Sequence, residues 1–343
     1  MMNDRAIAIL NTGLVTSVGL SAPASCAAIR AKISNPTETR FIGSDGEWIM
    51  AHQVQLQKPW RGRTKLTKMA AMAIKECLAG LERDEWAQIP LLLCVAEGGR
   101  PGRIDGLDDL LFEEIAQELS ADFHAESAVF AHGRVSAAIA LERARSMLSD
   151  SVPRVLIAAA DSLLGWPTLS VYQRQGRLLG AENSNGFIAG EGAGALLVGL
   201  DNGEDRPLCI GIGFGTERAA IDSDKPLRGD GLTFAIKAAL TDAGCALHEL
   251  DFRVTDLSGE QYYFKEASIA LSRSLRAHKE SLPLWHPAEC CGEGGAIAGP
   301  VCVAVAGRAM PTGYAPGPAA LLHFSADDGA RAALVMNGGR AHG

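Results

Sequence analysis

Residues 186–194 read GFIAGEGAG and run straight into Ala195, Leu196, Leu197 and Val198, and this stretch decides how the rest of the chain is read. Gly186, Gly190, Gly192 and Gly194 permit backbone turns and close approaches that a side chain would block, and Glu191 can accept main-chain N–H bonds in such a loop. A glycine-rich loop of this kind could equally cradle a phosphate. The Lys-Ser/Thr ending of a P-loop is missing, however, and a strand follows where a dinucleotide fingerprint requires a helix.

Working outward, runs rich in Ile, Leu and Val predict strands at 7–10, 89–95, 154–160, 194–200, 208–214, 251–257 and 332–337. Helical spacing lies between many of them. Leu66, Met69, Ala70, Ala73, Cys77 and Leu81 share a face of 64–81, and Leu232, Ala235, Ile236, Ala239 and Leu240 share a face of 232–243. The alternation predicts an α/β protein with buried sheets. A shift of 162 residues carries Ala73, Ile74 and Lys75 onto Ala235, Ile236 and Lys237, Ile89 onto Asp251, Gly133 onto Gly295, and Ala137 onto Gly299. We read this as an internal duplication with halves 1–203 and 204–343, joined through the polar turn formers of 201–207. The tail 337–343 is expected to be loose.

With 343 residues, 47% of them hydrophobic, the chain can bury a large core. Its formal charge of −8 and the lack of a basic stripe interleaved with aromatics exclude nucleic acid as the expected partner. No signal-like start and no apolar run of about 20 residues is present, so the expectation is a cytoplasmic protein without a membrane span. The eight cysteines sit mostly in apolar surroundings and read as buried free thiols. Cys290 and Cys291 are adjacent but lack a second pair of ligands, so no metal is expected, and nothing calls for a cofactor.

GFIAGEGAG closely resembles the GF-x-x-GEGAG element of the β-ketoacyl synthases. The likeness extends in order through ILNTGLVTSVGLSAPASCAAIRAKIS (9–34), AAADSLLGWPTLSVYQRQGRLL (158–179), LTFAIKAALTDAGCALHELDF (232–252) and GEGGAIAG (292–299). It covers nearly the whole chain. It implies the thiolase fold, in which two similar βαβαβαββ halves build a layered αβαβα arrangement. Members of that family are usually longer, which implies trimmed loops over the entrance.

The family works with a cysteine thiolate at a helix start and two histidines that assist decarboxylation and stabilise the enolate. Carried onto this chain, the cysteine position falls on Phe130 in AVFAHGRVSAAIALERA, the second histidine on Glu293 in GEGGAIAG, and the first on Asp256 in VTDLSGE. The lysine usual five residues before the second histidine falls on Ala288. Asp327 and Asp328 stand where small or apolar residues gate the family's pocket, beside the retained Phe324 and Gly329. A phenyl ring has no lone pair to offer a carbonyl, and a carboxylate would repel a developing enolate. The resemblance therefore implies a catalytically degenerate protein, a non-condensing partner, adaptor or acyl/carrier-binding subunit. It would form a homodimer or heterodimer, its partner an acyl carrier protein, an active synthase subunit or a secretion effector.

The alternative is an active acyltransferase of the 3-oxoacyl-ACP synthase type with a relocated nucleophile at Cys290 or Cys291, assisted by His286 and oriented by Glu289 or Glu293. His132 reads as a helix-start histidine facing solvent or a partner, and His248 as a helix-end cap or surface residue.

Overall fold

The computed structural model describes residues 6–43, 46–150 and 152–339. Its first half runs β1 (Ile7–Val15), α1 (Ala22–Arg30), β2 (Thr37–Ile42), β3 (Trp48–His52), α2 (Gly62–Cys77), α3 (Arg83–Trp86), β4 (Leu91–Cys94), α4 (Leu110–Leu119), β5 (Ala128–Phe130), α5 (Ser136–Ser149), β6 (Val155–Ser162), α6 (Trp166–Arg174) and β7 (Ala189–Leu200). The second runs β8 (Leu208–Thr216), α7 (Asp230–Ala243), β9 (Phe252–Thr255), α8 (Gln261–Ser274), β10 (Leu284–Trp285), α9 (Ala288–Cys291), α10 (Ala298–Ala309), β11 (Ala319–Ser325) and β12 (Ala330–Asn337). Of the tail, Asn337 closes β12, and residues 340–343 lie outside the described residues.

The strands follow the order β10-β9-β11-β12-β8-β1-β7-β6-β4-β5, with the β2–β3 hairpin attached to β7. On either side of the β8–β1 junction the order is the same: first strand, last strand, then the parallel strands between. That symmetry is the duplication seen in three dimensions. A 3-10 turn led by Gly133 (φ 54°) opens α5, and one led by Gly295 (φ 63°) opens α10, 162 residues later.

Three apolar clusters set the layers. The central one joins α5 and α10 to the inner faces of both half-sheets through Leu141, Met147, Val301, Val305, Leu322 and Leu334. A second packs α2 and α4 against β4, β6 and β7, and a third packs α7 and α8 against β11 and β12. The result is the αβαβα stack expected from the sequence. Helix ends follow local chemistry: the Ser21 hydroxyl accepts the Ala24 N–H at the start of α1, and Gly244 in the left-handed region closes α7.

Gly186 precedes β7, but from Ala189 onward the glycine-rich stretch is strand and not loop, which corrects the sequence reading there. Gly190, Glu191, Gly192 and Gly194 lie inside β7, and neither they nor Gly186 have positive φ. The glycines are needed for close approach. A Cβ on Gly190 would lie 2.5 Å from the Cys291 carbonyl oxygen, and one on Gly192 would lie 2.4 Å from that of Val15. Glu191 is buried beside them, accepting the Val54 N–H at 3.0 Å and pairing with Lys65. Gly190→Ala is expected to destabilise the fold by about 1–3 kcal/mol, seen as a lower denaturant midpoint at unchanged slope. Gly98→Ala, whose added carbon meets nothing within 4 Å, should leave the midpoint in place, and equal effects of the two would contradict this account.

Candidate functional site

The chain threads β4 and β6 so that the helices α5 and α10 start side by side in the central layer, with their first turns close to one another. Each leading glycine has the positive φ that favours glycine, and each lies against a carboxylate. A Cβ on Gly133 would lie 2.1 Å from Glu97 Oε2, and one on Gly295 would lie 2.1 Å from Asp161 Oδ2. Arg100 sits between the two tips and holds both acids, donating to Glu97 at 2.6 and 3.0 Å and to Asp161 at 2.7 Å.

Arg134, one residue beyond Gly133, is buried in the same gap. Its guanidinium donates to the Tyr263 hydroxyl at 2.8 Å, lies 3.4 Å from Glu293, pairs with Asp327, and stacks over the Tyr263 ring at 4.6 Å. Arg177 reaches Asp327 at 2.6 Å and holds Glu260 through two parallel bonds of 2.7 and 2.8 Å. Six ion pairs thus tie three arginines to five carboxylates. Their excess negative charge faces the N-terminal ends of two helices, where anions are favoured. Accordingly the Ala296 N–H donates to Asp161 at 2.8 Å and the Gly295 N–H to Glu293 at 2.9 Å.

The positions read from the sequence divide into two sets. Asp256, at the end of β9, and Glu293 line one small cavity of about 20 Å³ together with Cys291 and Cys302. Ala288 lines it as well. That space admits a single water and not a thioester. Phe130 stands apart: it is the last residue of β5, its carbonyl accepts the Val95 N–H at 3.0 Å, and its ring packs against the central core. The residue that fills the gap between the helix tips is Arg134, which strand and helix periodicity does not flag. A charged side chain inside an otherwise small-residue helix start was the available signal.

Asp327 is likewise not a free gate. It points inward to Arg134 and Arg177, while Asp328 accepts the Ala330 N–H at 2.9 Å to shape the turn. Outside this floor lies an open cleft of about 710 Å³, lined among others by Gly98, Gly99, Asp222, Tyr262 and Asp328, and floored by Arg177, Glu260 and Asp327. Beneath the floor only about 10 Å³ remains.

The relocated site does not assemble. His286 lies against the Phe264 ring at 5.7 Å and 3.9 Å from Glu289, facing away into a different cavity, and makes no hydrogen bond to a thiol among the described residues. The Cys291 Sγ donates to the Pro287 carbonyl at 3.2 Å. Burial pushes the thiol of Cys290 up to about 11 and that of Cys291 up to about 12. It raises the other six as well: Cys26 to about 11, Cys209 to about 12, and Cys77, Cys94, Cys245 and Cys302 above the ordinary range. His132 donates its main-chain N–H to the Ser136 hydroxyl at 2.9 Å, and His248 sits exposed in a 3-10 turn with its carbonyl accepting from Lys279 at 3.0 Å.

Burial would raise the Asp327 carboxyl, but Arg134 and Arg177 outweigh it and hold the group well below the carboxylate range. For Glu97, Arg100 likewise overcomes burial. Asp256 goes the other way. Burial raises it to about 7, Glu293 adds to the rise, and Arg134 and the Ser325 N–H, donating at 2.8 Å, only partly oppose it.

Two outcomes follow. Arg134→Met leaves Glu293 and Asp327 short of a buried counter-charge and is expected to cost about 3–5 kcal/mol in denaturant unfolding; a change below 1 kcal/mol would contradict the network's role. Asp256 retains in the native state a proton that the unfolded chain releases, so its contribution is complete below about pH 4 and is lost as pH rises through about 7. Between pH 5 and 8 the wild type should therefore lose about 3 kcal/mol relative to Asp256→Asn. Parallel stability profiles for the two proteins would refute this.

Among the described residues no helix is long and apolar enough to cross a membrane, and no group of three or more His, Cys, Asp or Glu could hold a metal. No protein-family model matches the chain, and no curated protein matches it in sequence. Solved structures do. The ishigamide ketosynthase/chain length factor superposes with a TM-score of 0.79 at 18% identity, covering 98% of this chain and 100% of that one. A type II PKS acyl-carrier protein in complex with its ketosynthase bound to the hexaketide gives 0.81 at 14% identity over 97% and 99%. A ketosynthase in complex with its chain length factor from Xenorhabdus doucetiae gives 0.71 at 12% over 97% and 98%. The chain therefore has the thiolase-like fold of the ketosynthase and chain length factor proteins along essentially its whole length.

Proposed function

We propose that this protein acts by binding and not by condensation, as a catalytically degenerate subunit that pairs with a second chain of the ketosynthase fold, in the first instance its own copy. One observation carries the reading: the Arg134 guanidinium, held by Glu293, Tyr263 and Asp327, occupies the gap between the helix tips where an acyl thioester would have to be attacked. Phe130 offers no nucleophile beside it. Asp256 and Glu293 supply carboxyl groups at the places that the family resemblance assigns to histidines. All eight thiols are pushed away from the thiolate form, which disfavours a relocated nucleophile.

Two further features support a subunit role. β5 ends the sheet with one free edge, a place where a second chain can add a strand. The superposed proteins include a ketosynthase in complex with its chain length factor and a ketosynthase in complex with an acyl-carrier protein. The open cleft of about 710 Å³ remains as a surface for a partner even though its floor is closed. The symmetric strand order also supports dividing the chain at 203/204, in the connection between β7 and β8.

Native mass spectrometry of the purified chain after incubation with acyl-coenzyme A and acyl-carrier thioesters tests the proposal. A two-chain species of unmodified mass is expected. A covalent acyl adduct that disappears in Cys290→Ala or Cys291→Ala, or a chain that stays monomeric, would overturn it.

A further inference from the structure

At the opposite end of α10 from the ion-pair cluster, about 18 Å away along the helix, α1 and the segment after α10 border an open surface cavity of about 400 Å³. Beside it lies a second lobe of about 280 Å³, and Arg30 and Tyr314 line both. Its walls are apolar, from Pro23, Ala27 and Ala31, but two guanidinium groups line it, those of Arg30 and Arg308. Among the described residues neither guanidinium makes an ion pair or a hydrogen bond, in a chain carrying eight excess acids.

Arg30 and Arg308 lie in the last turns of α1 and α10, where a cation complements the helix dipole. That role needs neither convergence nor order, and both are present. The Arg30 guanidinium lies over the Tyr314 ring, 4.2 Å from its centroid, and Trp285 stacks on Tyr314 at 6.2 Å with 21° between the planes. A cation held over an aromatic face keeps N–H groups available to donate to an anion. Arg30, Arg308 and Tyr314 line the same cavity, so the two charges border one space.

We propose that this cavity is a binding site for a small amphiphilic anion, a phosphate or carboxylate group on a compact apolar body. Arg30 and Arg308 take the anion and the Pro23, Ala27 and Ala31 wall takes the body. Its second lobe is where His286 and Glu289 face, so the imidazole that fails to reach a thiol lines this cavity instead.

Isothermal titration of the full chain with phenyl phosphate and with benzoate tests the site, the two arms telling phosphate from carboxylate. Inorganic phosphate and benzyl alcohol serve as the separated halves. Single-site saturation by at least one of the two aromatic anions is expected, tighter than by either half. Arg30→Gln and Arg308→Gln should each weaken it about tenfold, with the far-ultraviolet circular dichroism unchanged because both side chains lie at the surface. Absence of saturable binding by both aromatic anions, inorganic phosphate binding as tightly as they do, or an unchanged affinity in the double variant would each overturn the proposal.

Discussion

Two arginines on one half-buried carboxylate hold the middle of this protein together. Arg134 and Arg177 come from the first half of the chain and Asp327 from the second, 193 and 150 residues away in sequence. Glu260 and Glu293, also from the second half, complete the set. Taking so many charges out of water is costly, and a buried pair repays that cost only when its geometry is good and its remaining donors and acceptors are met. Here they are: the Arg177 fork lies in register with Glu260, Tyr263 and Tyr172 donate to Asp327, and helix N–H groups cover Glu293 and Asp161. The network is specific because a partly satisfied version would be worse than an apolar core.

Its position explains why it also closes the site. The duplicated fold brings two helix N-termini together, which concentrates positive potential and unpaired N–H groups in one small volume. A condensing enzyme built on that geometry would direct these toward a thiolate and an oxyanion. In this chain carboxylates occupy the place, arginines follow to balance them, and the leading glycines yield the room: Gly133 to Glu97 and Gly295 to Asp161. The contents of the gap are thus a consistent electrostatic solution and not a random loss of residues.

The layered architecture was legible because it rests on local signals. Apolar runs marked β1, β4, β6, β7, β8, β9 and β12, helical spacing marked α2 and α7, and the 162-residue shift aligned the two helix starts. What escaped was short or non-local. β5 and β10 have three and two residues, the hairpin β2–β3 is half polar, and β11 follows a glycine- and proline-rich turn that masks its apolar run. Glu293 and Asp256 were found from their places in motifs, and they do share a cavity. Arg100, Arg134, Arg177 and Glu260 were not, since ion pairs between residues far apart in sequence leave no periodic trace. The glycines of β7 were found for the right reason, close approach, but in the wrong element, because a strand pressed on both faces and a turn both call for residues without a side chain.

On the proposed reading, Phe130 at the position the resemblance assigns to the nucleophile is not the whole obstacle to condensing chemistry. Suppose a thiol stood at the tip of α5. The N–H groups at the neighbouring tip of α10 are already engaged, that of Gly295 by Glu293 and that of Ala296 by Asp161. Both acids are held in place by arginines that would have to lose their partners for a substrate carbonyl to enter. The electrostatic stabilisation such a reaction needs comes from donors kept free and aimed at the developing charge, and here those donors are committed to resident carboxylates. On the proposed reading, the obstacle to acyl transfer is the whole set of paired charges, which also joins the two halves.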